Sequence, residues 1–177
     1  TALLSRYEVE TLKRVLRLWY EKHVKQRDIT DEVNYLYTGF PRLKIYEIIE
    51  AENLGEIAGL LVQTPYASII AEAAQREVSQ YGLFPVETAL DKHYFSRLTE
   101  SMNNLSKTDR DIAGKLIGIE IDLENLERIV RFKDLYGFSN EEFNNYLIPF
   151  GSLLKSTDMQ GASNEIIKAF IAKRYAA

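Results

Sequence analysis

The stretch Glu8-Val-Glu-Thr-Leu-Lys-Arg-Val-Leu-Arg-Leu18 decides how this chain is read, because it returns as Asp122-Leu-Glu-Asn-Leu-Glu-Arg-Ile-Val-Arg-Phe132. Glu10/Glu124, Leu12/Leu126, Arg14/Arg128 and Arg17/Arg131 are identical at a spacing of 114 residues, and the apolar positions between them stay apolar. Both stretches carry a helical period. Val9, Leu12, Leu16 and Trp19 step by 3, 4 and 3. Ile112, Leu116, Ile119, Leu123, Leu126 and Val130 step by 4, 3, 4, 3 and 4. Each set marks one apolar stripe of an amphipathic helix.

The same order continues outward. Asn34-Tyr35-Leu36 returns as Asn145-Tyr146-Leu147 at a spacing of 111. Glu56-Ile57 returns as Glu165-Ile166, and Tyr66-Ala67 as Tyr175-Ala176, both at 109. Ordered landmarks with small drifts read as one helical building block used twice, and repeated units bury their apolar faces against neighbours. The expected architecture is all-α: a first helical unit over 1–105, and a second over 106–177, with a long helix over 107–136 joining them. The first copy runs on past Tyr66, whereas the second stops at Tyr175, so a longer repeated parent is expected.

The remaining segments fit this scheme. Helices are expected to about His23, then near Thr30–Tyr37, Leu43–Ala51, Leu54–Leu61, Tyr66–Tyr81, Val86–Leu105 and Lys107–Tyr136. Ser5 with Glu8 and Ser139 with Glu142 fit capping boxes, and Thr108 with Asp111 is a weaker version. Gly82 and Pro85 break one helix from the next, Gly137 suits a helix end, and Pro149 with Gly151 makes a sharp corner. No alternation bounded by hairpin turns is visible.

Composition narrows the function. The 177 residues are 46% hydrophobic and 27% charged, an ordinary globular balance. With 22 basic and 26 acidic side chains intermixed and a net charge of −4, there is no basic stripe for nucleic acid. The absence of cysteine excludes disulfides, thiolate metal sites and cysteine nucleophiles, and fits a cytoplasmic location. The longest uncharged run, Ile57–Ala71, holds Gln63, Pro65 and Tyr66 and is shorter than a membrane span. No cofactor or metal is expected. There is no G-x-x-x-x-G-K-[ST] loop, no G-x-S-x-G elbow and no H-E-x-x-H pair. His23 and His93 lack a ligating neighbour at i+4. Asp109 and Asp111 suit a helix start. Glu120 and Asp122 point to different faces. A magnesium enzyme would need Asp91, Asp109 and Asp111 to converge.

The repeated arginines are the candidate partner contacts: Arg14, Arg17, Arg128 and Arg131. Each Glu four residues before an Arg, Glu10→Arg14 and Glu124→Arg128, is in the favourable helical orientation, worth about 0.2–0.5 kcal/mol. The plain reading is therefore an ion pair inside each unit, and the functional one a repeated basic surface.

Leu116-Ile-Gly-Ile-Glu-Ile-Asp-Leu-Glu-Asn-Leu-Glu-Arg-Ile-Val-Arg-Phe-Lys133 and Asn145-Tyr-Leu-Ile-Pro-Phe-Gly-Ser-Leu-Leu154 resemble the signature segments of the C (archaeal) and d (vacuolar) subunit family of rotary ATPases. Thr64-Pro-Tyr66 and Leu90-Asp91…Tyr94 sit where that family would place them. The resemblance implies a funnel of three related helical units, of which this chain would hold one and part of a second. It also implies a non-catalytic, peripheral subunit on the cytoplasmic face. That subunit would join the membrane proteolipid ring to the central shaft and couple ATP turnover to H⁺ or Na⁺ movement. The chain departs from its own pattern at Thr11, where the second copy has Asn125. The alternative is a helical repeat scaffold that binds some other protein.

Overall fold

The computed structural model describes residues 2–74, 81–135 and 145–152, with side chains given up to 129 in the second of these stretches. Among the described residues there are seven α-helices and no strand. They are α1 (Ser5–His23), α2 (Thr30–Val33), α3 (Ile45–Glu50), α4 (Leu54–Leu60), α5 (Tyr66–Ala74), α6 (Phe84–Ser101) and α7 (Lys107–Leu135). Short 3-10 turns occupy Pro41–Leu43 and Met102–Asn104. The all-α expectation holds. The helix expected over Thr30–Tyr37 is a single turn, and the one expected over Val86–Leu105 ends at Ser101 and tightens into the second 3-10 turn. Ser139, Glu142 and Gly137 lie outside the described residues. So does the stretch expected to continue α5 through residue 80.

Backbone contacts divide the chain into two compact units, Thr1–Leu98 and Thr99–Ala177, the division falling inside α6. In the first unit the period of α1 works as read. Val9, Leu12, Leu16 and Trp19 are all buried, joined by Val15 and Leu18. Leu43, Ile48, Ile57, Leu61, Ile70, Val86 and Leu90 of the same unit are completely buried as well. Burying a side chain of this kind stabilises by roughly 1.5–3 kcal/mol.

Polar links fix the direction of α1. Near its C-terminus the Trp19 indole donates to the Ala51 carbonyl (2.7 Å), and the His23 ring meets the Ile49 carbonyl (2.8 Å) and stacks on Trp19. Lys22 pairs with Glu50 at 2.5 Å. These contacts hold α1 on α3. Tyr66 donates its hydroxyl to Glu8 (3.1 Å), so the start of α5 is tied to the start of α1. Thr64 prepares that start: its hydroxyl accepts from the Tyr66 amide (3.2 Å) and donates to the Leu61 carbonyl (2.7 Å). The Thr-Pro-Tyr sequence thus holds the chain as it enters α5 and anchors that helix on α1.

Helix starts differ in part from the sequence reading. Ser5 does not cap α1; its hydroxyl donates to the Ala2 carbonyl, because residues 2–4 already turn helically and move the true start upstream. The cap of α7 is Ser106 rather than Thr108. Ser106 accepts from the Asp109 amide (3.2 Å), and its hydroxyl donates to the Asp109 carboxylate (2.7 Å). Asn53 caps α4 by accepting from the Glu56 amide (3.0 Å), while Glu56 accepts from the Glu52 amide (2.7 Å). Gly82 takes φ +57, a left-handed turn that frees the chain to restart as α6.

The apolar stripe expected on α7 is not its buried face. Ile112, Leu116 and Leu123 are each more than half exposed. Gly118, Ile121, Asp122, Asn125, Arg128 and Ile129 are buried instead. The reason is a strap, residues 145–152, laid along the polar side of the helix. Asn125 donates its side-chain amide to the Ile148 carbonyl (2.9 Å) and accepts from the Ile148 amide (2.8 Å). The Ser152 amide donates to the Asp122 carboxylate (3.1 Å) and to the Gly118 carbonyl (3.3 Å). Hydrogen-bonded polar groups, which hydropathy counts as outward, are what this face buries.

Candidate functional site

In the first unit an open groove of about 850 Å³ runs along α1. Its helix side carries Glu10, Thr11, Arg14 and Arg17, with Leu4 and Tyr7 at one end. Tyr37 and Phe40, edge to face at 5.5 Å, come from the connection that follows α2. Two of the four arginines singled out by sequence, Arg14 and Arg17, therefore stand side by side one turn apart.

Their electrostatic settings differ. Arg17 grips Glu87 of α6 with both ends of its guanidinium (2.5 and 3.0 Å). That hydrogen bonding to Glu87 holds its pKa above the usual arginine value. Arg14 is exposed, and the expected Glu10→Arg14 ion pair is not formed. Glu10 turns instead to Lys13 (2.6 Å). Lys13 is buried and also pairs with Asp91 of α6 at 2.8 Å. A buried ammonium draws in every available carboxylate, since leaving it unpaired costs far more than losing a surface pair. Burial alone lowers the Lys13 pKa, but Asp91 and then Glu10 outweigh it and leave the group above its ordinary value.

In the second unit Arg128 is buried and reaches Glu124 at 3.9 Å, so there the i,i+4 pair does exist. The side chain of Arg131 lies outside the described residues. The sequence reading missed the Lys13–Asp91 pair and the contacts of Gly118, Asp122 and Asn125 with the strap. A lysine beside the apolar positions Leu12 and Val15 was the available signal for the first pair.

The acids considered for magnesium are engaged separately. Asp91 pairs with Lys13, Asp109 accepts from the Ser106 hydroxyl at the start of α7, Asp111 is exposed on α7, and Asp122 holds the strap. Among the described residues no three His, Cys, Asp or Glu side chains gather as metal ligands. Among them, too, no helix is long and apolar enough to cross a membrane. The phenol of Tyr66 is pushed up by burial and then by the Glu8 carboxylate, so it stays protonated as a donor.

Comparison with known proteins gives the family. The family model described as ATP synthase (C/AC39) subunit matches residues 1–176. Among curated relatives, the C subunit of the A-type ATP synthase of Methanothermobacter thermautotrophicus is 27% identical over 175 residues, covering 90% of this chain and 43% of the relative. The C subunit of the A-type ATP synthase of Thermococcus gammatolerans is 28% identical over 155 residues, covering 88% of this chain and 40% of the relative. The chain thus spans about two fifths of the length of these relatives. No solved structure matches. Matched by one family model over residues 1–176, the chain belongs to the ATP synthase (C/AC39) subunit family.

Proposed function

We propose that this chain is part of the non-catalytic coupling subunit of an A/V-type rotary ATPase, seated between the membrane proteolipid ring and the central shaft. The family match over residues 1–176 carries this reading. The fold of the first unit supports it. A part that passes torque must not yield, and α1 is fastened to α3 by Trp19, His23 and Lys22 and to α6 by Lys13 and Arg17. Close-packed interiors crossed by such links transmit strain. On this reading the chain works on the cytoplasmic face without entering the bilayer, and Arg14, exposed at the floor of an aromatic groove, is the foremost contact residue. Arg17, Arg128 and Arg131 are secondary, the first two being engaged inside their own units.

The test is purification of the protein from its own cells. Recovery with proteolipid ring and shaft subunits is expected. Recovery alone from a cell that contains an intact rotary ATPase overturns the assignment. Recovery with a different protein instead identifies a repeat scaffold.

A further inference from the structure

The strap of the second unit and the groove of the first occupy the same place in the repeat. At the spacing of 114, Gly118, Ile121, Asn125 and Arg128 correspond to Leu4, Tyr7, Thr11 and Arg14. At the spacing of 111, the strap positions Ile148, Gly151 and Ser152 correspond to Tyr37, Phe40 and Pro41. Leu4, Tyr7, Thr11, Arg14, Tyr37 and Phe40 all line the groove. Burial follows the same division: Ile121 is 0% exposed and Tyr7 66%, Arg128 is 7% exposed, and Arg14 is open. One slot is shut in one copy and open in the other.

We propose that Gly118, Asn125 and Ser152 form a backbone lock, and that the replacements Leu4, Thr11 and Pro41 hold the corresponding slot on α1 unlocked. Each replacement removes a different part. Asn125 offers a donor and an acceptor on two separate atoms to the same residue, an arrangement that Thr11, with one hydroxyl oxygen for both roles, does not reproduce. Gly118 lets the strap lie against the helix backbone. A Cβ there would collide with Ser152 Oγ and stand 3.1 Å from its backbone nitrogen, and Leu4 has a whole isobutyl group. Ser152 gives its amide to Asp122 and Gly118, and Pro41 has no amide hydrogen to give.

Strain in the strap agrees with a lock. Phe150 lies between the two clamped residues at φ +77, a conformation that L side chains adopt at a cost. It is half exposed, so burial of its ring does not offset that cost. The hydrogen bonds at Ile148 and Ser152, on either side, hold it there. This inference rests on the repeat register and deepens the mechanical reading. It does not depend on the rotary partners, so the two can fail separately.

Amide hydrogen exchange on the full 177-residue chain tests it. Losing a satisfied side-chain hydrogen bond is worth about a tenfold change in local opening. Asn125→Ala is therefore expected to speed exchange of the Ile148 amide about tenfold while the Leu12 amide in α1 keeps its protection. Gly118→Leu, which copies the first unit and favours helix, should do the same at Ser152. In the opposite direction, Leu4→Gly with Thr11→Asn and Pro41→Ser should slow exchange at Tyr37 by a similar factor and shield Tyr7 from iodination. If Asn125→Ala unfolds the chain at large, Gly118→Leu and the triple variant decide. Unchanged Ser152 exchange in Gly118→Leu, or unchanged Tyr37 exchange in the triple variant, overturns the proposal.

Discussion

Lys13 keeps a positive charge where water scarcely reaches, between the carboxylates of Asp91 and Glu10. Removing one partner of such a pair strands the other, at about 3 kcal/mol or more. Lys13→Ala is therefore expected to lower the urea unfolding free energy by about that amount at neutral pH. Lys13→Met combined with Asp91→Leu should cost much less, because neither charge is left behind. The pH dependence has a definite sign. The folded-state pKa of Lys13 is raised, so its contribution is complete below the ordinary lysine pKa of about 10.4 and disappears as pH rises through the higher folded value. Urea unfolding measured from neutral to strongly alkaline pH should show this loss in the native protein and not in the double variant. At the start of α7, Ser106→Ala should cost about 1 kcal/mol, and Thr108→Ala less than about 0.5, since only Ser106 caps. That distinction was hard to see in the sequence. Ser106 and Thr108 both precede an acid three residues on, and only backbone geometry chooses between them.

Among the helices, the reading from sequence succeeds where burial is apolar and fails where it is polar. In α1 every predicted core position is buried, because its neighbours α3 and α6 present aliphatic side chains. In α7 the period of Ile112, Leu116, Ile119 and Leu123 is as regular, but the strap takes the adjoining face with amide and carboxylate contacts. Hydropathy has no means of foreseeing that an asparagine would be inside and a leucine outside. Chemical denaturation should display the contrast. Leu12→Ala is expected to destabilise by about 2–5 kcal/mol through the cavity it leaves. Leu116→Ala, at 63% exposure, should stay within about 0.5 kcal/mol. Equal losses at the two sites would contradict the burial described for α7.

At the scale of the whole molecule, the all-α class and most helix limits could be read from period and punctuation alone. The groove could not, because it brings Tyr37 and Phe40 against α1 through a connection with little regular structure. The sequence pattern marks four arginines as candidates, and tertiary pairing, which the pattern does not reveal, leaves Arg14 as the open one in the first unit. Arg14→Glu is expected to leave thermal stability within about 0.5 kcal/mol, as for other exposed substitutions. If the chain has the proposed coupling role, the substitution should reduce recovery of rotary ATPase subunits on purification several-fold. Unaltered recovery would remove Arg14 from the contact surface.

The hydrogen bond from Trp19 to Ala51 has a practical corollary. The chain contains a single tryptophan, and its ring is almost wholly enclosed where α1 meets the end of α3. Selectively excited emission thus comes from one known spot. A red shift and new sensitivity to a collisional quencher would register loosening at that junction without any attached label, in the isolated chain or in a larger assembly whose other proteins have been stripped of indole.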